Sequence, residues 1–238
     1  MRLSRPAAPG IVLTSALAVL IVVNLAANGV IASLGLLDAV LAIAALTGIV
    51  WWAGGTRDDV GLGAGTLRRG ALWALALIGL VALVYLVGAL LPFTRALFSD
   101  RRTALLTGGD VALRMSVKVP LGTVLLEEYA FRGVLYGLIR RYRDTTTAII
   151  ASSLLFGLWH VLPSLHLATQ KPTLTAVFGH STAAAVVTDI GAVLFTSAAG
   201  VLLCELRRRS GSLLPSIGLH WATNALGYLA AFALGRTG

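Results

Sequence analysis

Two adjacent glutamates and an arginine stand in an otherwise apolar stretch, L-L-E-E-Y-A-F-R-G from Leu125 to Gly133. Burying a charge at the centre of a bilayer costs about 2.5–3.5 kcal/mol or more, so such a cluster marks a functional site before it marks packing. Glu128 and Arg132 are spaced i,i+4 and share a helix face, where an ion pair offsets part of that cost. Glu127 is turned about 100° from Glu128 on a regular helix, so the same arginine serves it less directly. A buried, incompletely paired carboxylate suits a general base acting on water. The plainer alternative, that both acids only hold helices together, asks for more acid than packing requires.

Two further stretches carry polar groups into apolar surroundings. F-G-L-W-H, Phe156–His160, puts a histidine on an aromatic face. H-W-A-T-N, His220–Asn224, puts a histidine and an asparagine one turn apart on a single face. Hydrogen-bond donors in dry surroundings are what a tetrahedral oxyanion needs. Histidine and asparagine also serve as interhelical hydrogen-bonding groups, which is the plainer role for each motif alone.

The elements that must position these groups are membrane-type helices. Hydrophobic residues make up 57% of the 238-residue chain and charged residues only 12%, with mean hydropathy +0.87. That composition implies an all-α, polytopic transmembrane helical bundle forming a single integral-membrane domain over residues 1–238. Seven apolar segments are expected (six to eight), at about Ile11–Ile31, Leu36–Ala53, Ala71–Leu91, Val117–Ile139, Thr147–Leu162, Ala184–Leu206 and Leu213–Leu234. The first follows the positive start MRLSRPAAPG but is longer than a signal-peptide core, so a retained helix is expected. The connection Pro163–Ala183 is expected to hold a re-entrant or interfacial piece. Counting about 1.5 Å per residue from the segment ends places Glu127 and His160 roughly 20 Å deep, and His220 and Asn224 roughly 12–18 Å deep. Three helices thus carry their strongest polar groups into one layer near mid-membrane.

Charge sets orientation. The net charge is +9, carried mostly by arginine. Arg2, Arg5, Arg57, Arg68, Arg69, Arg140, Arg141, Arg143, Arg207, Arg208 and Arg209 form one set. Arg95, Arg101, Arg102, Arg114, Lys118, Lys171 and Arg236 form the other. The larger set predicts that end, and the N-terminus, to be cytoplasmic. No basic region alternates with exposed aromatics, so nucleic acid is not an expected partner; membrane lipids are. Nothing in the pattern addresses oligomeric state. Cys204 is the single cysteine, which excludes an internal disulfide and is read as a small buried hydrophobe. The scarcity of lysine beside abundant Ala, Gly and Arg points to a bacterial, GC-rich source and so to a bacterial plasma membrane.

Together the three motifs resemble those of the CAAX-protease and bacteriocin-processing family of intramembrane endopeptidases, over about residues 121–225. That family shows E-E-x-x-x-R, F-x-x-x-H and H-x-x-x-N or H-x-x-x-D on separate membrane helices; here these are Glu127–Arg132, Phe156–His160 and His220–Asn224. The resemblance implies a peptide or membrane-protein substrate, and that Glu127 activates a water, that His160 helps hold it, and that His220 and Asn224 stabilise the oxyanion. Glu128 and Arg132 match supporting positions. The family is described both as metal-independent glutamate proteases and as metalloproteases. The expectation is catalysis without a cofactor, because no H-E-x-x-H helix is present. A zinc site on Glu127, His160 and His220 is the alternative. A non-catalytic immunity or scaffold protein that keeps the fold is the second alternative.

Smaller features have structural expectations. Asn24 and Asn28 share a face and read as helix–helix contacts. Trp51 and Trp52 read as an interfacial belt. His166 and His180 read as solvated, and Asp189 as lying near the outer end of its helix.

Overall fold

The structure, a computed structural model, describes residues 8–165, 167–179 and 181–235, without the side chains of 168 and 169. Arg2, Arg5, Arg236, His166 and His180 lie outside the described residues. Seven main helices are α1 (Pro9–Ala27), α2 (Leu36–Trp52), α3 (Ala64–Leu90), α4 (108–142), α5 (Thr145–Trp159), α6 (Thr182–Ser210) and α7 (Leu214–Gly235). Among the described residues there is no strand. The seven coincide in position with the seven expected apolar segments, although their ends differ. By length and composition, three are fit to cross a membrane: α1, α3 and α6, of 19, 27 and 29 residues. Helices α2 and α5 are apolar but shorter.

Helix α4 is central. Every residue from Leu126 to Ile139 is buried, and its Ala130, Phe131, Val134 and Leu135 pack against Val12, Ala16 and Leu20 of α1 and Leu46 and Val50 of α2. Small residues let the other helices close on one another, as they do where lipid supplies no hydrophobic drive between helices. A Cβ on Gly157 of α5 would fall 2.8 Å from the Val193 carbonyl of α6, and one on Gly218 of α7 would fall 3.0 Å from Ala74 Cα of α3.

The two ends of the bundle differ in charge. At one end, the loop between α2 and α3 is clamped by arginines from α4 and α6. Arg207 donates to the Asp58 and Asp59 carbonyls at 3.0 and 3.1 Å. Arg141 donates to the Gly54 carbonyl at 2.8 Å and to Asp59 at 3.1 Å. The described arginines of the larger basic set thus share this end, where Trp51 and Trp52 are exposed.

The connection after α5 consists of short helices, Val161–Ser164, Leu167–Gln170 and Pro172–Phe178. It is tied to the segment after α3: Lys171 pairs with Asp100 at 2.7 Å, and Thr173 donates to the Ala96 carbonyl at 3.1 Å. Burial raises the Asp100 pKa, but hydrogen bonds from Arg102 and Lys171 outweigh it and hold the carboxyl at about 2. A depressed carboxyl contributes stability where it is ionised in both folded and unfolded chains, above about pH 4, and loses it as pH falls through the folded value. Hydrogen-exchange protection of residues 92–103, corrected for intrinsic rates, should therefore stay level from neutral pH to about 4 and fall towards about 2. In Asp100→Asn it should be lower throughout and lack that step.

Candidate active site

Helix α4 is not uniform. Leu125–Glu128 keeps α-helical geometry, while Arg114–Val124 before it and Tyr129–Leu135 after it have the wider turn of a π-helix. Pro120 lies inside the first wide stretch; its missing N–H breaks the regular ladder, and Leu125 N–H reaches back to the Pro120 carbonyl instead. Both glutamates thus sit on one regular turn between two widened ones.

Glu128 and Arg132 are fully buried and pair at 3.2 Å. The same Glu128 oxygen, Oε1, accepts from His220 Nδ1 at 2.8 Å. The Arg132 guanidinium lies 3.8 Å over the Phe156 ring. Phe156 also meets the rings of His160 and His220 edge-on, with centroids 4.6 and 6.1 Å away. The F-x-x-x-H spacing therefore has a physical basis: one aromatic ring packs against both histidines and the arginine.

Glu127 has two distinct oxygens. Oε1 accepts from Trp159 Nε1 at 3.1 Å. Oε2 is buried without a hydrogen-bond partner and lies 3.9 Å from His160 Nε2 and 3.9 Å from His220 Nε2. His160 Nδ1 faces the Phe156 carbonyl at 2.8 Å. A carbonyl and a carboxylate only accept, so in both rings Nδ1 carries the hydrogen and Nε2 is presented to Glu127. The structure brings Glu127, Glu128, Arg132, His160 and His220 into one cluster. Asn224, one turn beyond His220, is half-buried and makes no side-chain hydrogen bond to that cluster.

A metal would find suitable donors here. Two imidazole Nε2 atoms and a carboxylate oxygen converge, and each imidazole gives its other N–H to a carbonyl or carboxylate, as metal-binding histidines do. Tetrahedral zinc ligands stand about 3.3 Å apart. The 3.9 Å separations are wider, and as the side chains stand no such trio among the described residues has metal-ligand spacing. The set therefore fits a metal in donor type and orientation, while its spacing as the side chains stand is about half an ångström too wide.

Two residues near the cluster were not singled out as site residues by their sequence. Trp159 lies inside the F-G-L-W-H motif, yet nothing local says that its indole reaches across to α4. Asn24 of α1 donates to the Trp159 carbonyl at 2.9 Å; the signal for that contact is Pro163, taken up below. A cavity of about 420 Å³ borders Thr47, Trp51, Arg57, Val60, Leu125 and Tyr129, and Glu127, His160 and His220 do not line it.

A model of the family described as Rce1-like, type II CAAX prenyl endopeptidase, matches residues 111–226, just under half of the chain. The match runs from the first turns of α4 into α7 and contains all seven residues that the three motifs specify. No curated protein matches the chain, and no solved structure does. Over that segment the chain is similar to the Rce1-like family of type II CAAX prenyl endopeptidases, a protease family, and that likeness together with the apolar helices points to an integral membrane protein.

Proposed function

We propose that the chain is an intramembrane endopeptidase that hydrolyses a peptide bond of a membrane-associated peptide or protein through a water activated by Glu127. The observation that carries this is the unpartnered Glu127 Oε2 facing two imidazole Nε2 atoms at equal distance. Hydrogen bonds of about 2.8 Å from one water to Oε2 and to either Nε2 would meet at roughly a right angle, which a water accommodates.

In the reaction, the water gives a proton to Glu127 Oε2 as its oxygen bonds to the substrate's carbonyl carbon. The carbonyl becomes an oxyanion near the face carrying His220 and Asn224, where the Asn224 amide N–H donates to it and His220 Nε2 does so only when its ring is protonated. The oxyanion collapses, the C–N bond breaks, and the leaving amine takes the proton back from Glu127. Glu128 and Arg132 act behind this step: Glu128 orients His220 through Nδ1 and Arg132 balances its charge. Were zinc bound, Glu127, His160 and His220 would hold it, and it would supply Lewis-acid polarisation and a more acidic water. The seven helices are proposed to form the membrane bundle, with the Arg140–Arg143 and Arg207–Arg209 end cytoplasmic. The family description implies prenylated C-terminal peptides as one substrate class. Peptide pheromone, bacteriocin or membrane-protein precursors are the classes a bacterial source would favour.

The test is purified protein in liposomes with a quenched fluorogenic peptide library that includes prenylated members, with and without a zinc chelator. Cleavage that resists the chelator is the expected result. Cleavage that the chelator stops and zinc restores would replace water activation by metal ligation. Absence of cleavage by well-folded protein across the library would favour the scaffold alternative.

A further inference from the structure

Glu127 acts only if the right oxygen is free, and what leaves Oε2 free is the Trp159 N–H holding Oε1. Trp159 is the last residue of α5. In a continuing helix its carbonyl would accept from the residue four positions on, but that residue is Pro163, which has no N–H. The vacant acceptor is filled from elsewhere: Asn24 Nδ2 of α1 donates to it at 2.9 Å, across 135 positions of sequence. The indole is also packed edge-on against Phe131 of α4, with centroids 5.7 Å apart. The Trp159 side chain is thus fixed at its backbone by α1 and at its ring by α4, with its N–H aimed at the Glu127 carboxylate.

We infer that Trp159 and Asn24 are positioning residues for Glu127, and so that α1, which lies outside the matched segment 111–226, is part of the catalytic apparatus. Trp159 holds one carboxylate oxygen so that the other faces His160 and His220. Asn24 holds the helix end that presents Trp159. This inference rests on the protease reading above, so its test has one arm that needs no activity.

The chain has five tryptophans, and ¹⁵N-tryptophan labelling in detergent micelles gives one indole N–H signal for each. Trp159→Phe, which keeps an aromatic ring but loses the donor and part of the indole's volume, assigns one signal. Glu127→Gln should move that signal and leave the other four in place, and Asn24→Leu should move it too. In the cleavage assay with the same fluorogenic peptides, Trp159→Phe should lower kcat by about 10- to 100-fold, as expected for losing a hydrogen bond to a charged group. KM should stay within about twofold. Asn24→Leu should lower kcat in the same direction, by less. A signal indifferent to Glu127→Gln, or wild-type kcat in Trp159→Phe, overturns the inference. So does a kcat loss fully accounted for by a smaller folded fraction. If wild type cleaves no peptide while the signal still moves, the contact stands but the protease reading, and the catalytic role with it, falls.

Discussion

Glu127→Gln is expected to lose at least about 10²- to 10⁴-fold in kcat, the usual contribution of a general base, while the protein folds and extracts as wild type. The structure gives both halves of that expectation. Glutamine keeps the size of the side chain and can still accept from Trp159 Nε1 through its amide oxygen. Its amide N–H groups would then face the Nε2 atoms of His160 and His220, which accept. No buried group is left without a partner that it had before, so folding is spared. The side chain can no longer take a proton from water, so the chemical step is not. Activity per mole of folded protein, with the melting temperature measured alongside, is the check. Cleavage at the wild-type rate in this variant would end the glutamate mechanism.

The second large effect is on stability. Arg132→Met should destabilise the protein by about 3–5 kcal/mol, because removing one partner of a buried ion pair leaves the other charge uncompensated. Arg132 is fully buried, pairs with Glu128 at 3.2 Å and stacks on Phe156. Methionine fills much of the volume but supplies neither charge nor donor. The double variant Glu128→Gln/Arg132→Met should recover much of the stability, since no unpaired charge remains. It should not recover activity, because His220 loses the carboxylate at its Nδ1. Thermal unfolding of the two variants in detergent, followed by tryptophan fluorescence, separates these outcomes. A single variant as stable as wild type would show that Arg132 is dispensable to the fold.

Much of the fold was legible because it depends on local patterns. The seven apolar runs overlap the seven helices, since an apolar run bounded by charges and turn residues has few other ways to satisfy its backbone in lipid. The ends were less legible. Helix α1 stops at Ala27 rather than near Ile31, with Gly29 taking a φ of 72°, and α5 stops at Trp159 rather than near Leu162. Hydropathy reports where a segment is apolar, whereas a helix ends where its hydrogen-bond ladder does. The Glu128–Arg132 pair was legible too, because i,i+4 residues meet on any helix.

By itself the sequence determined a helical membrane chain with carboxylates, an arginine, two histidines and an asparagine on three helices. Those are matters of composition, spacing and the cost of buried charge, and each is local. Only the tertiary structure decided that both Nε2 atoms face the same Glu127 oxygen, that Trp159 occupies the other, and that Asn24 of α1 fills the acceptor Pro163 leaves open. The direction of a side chain depends on how its helix is rotated, and here two widened turns of α4 and the packing of α1, α5 and α7 set that rotation. A hydrogen bond between residues 135 positions apart has no counterpart in local periodicity, and it exists because folding brings an orphaned carbonyl beside an amide.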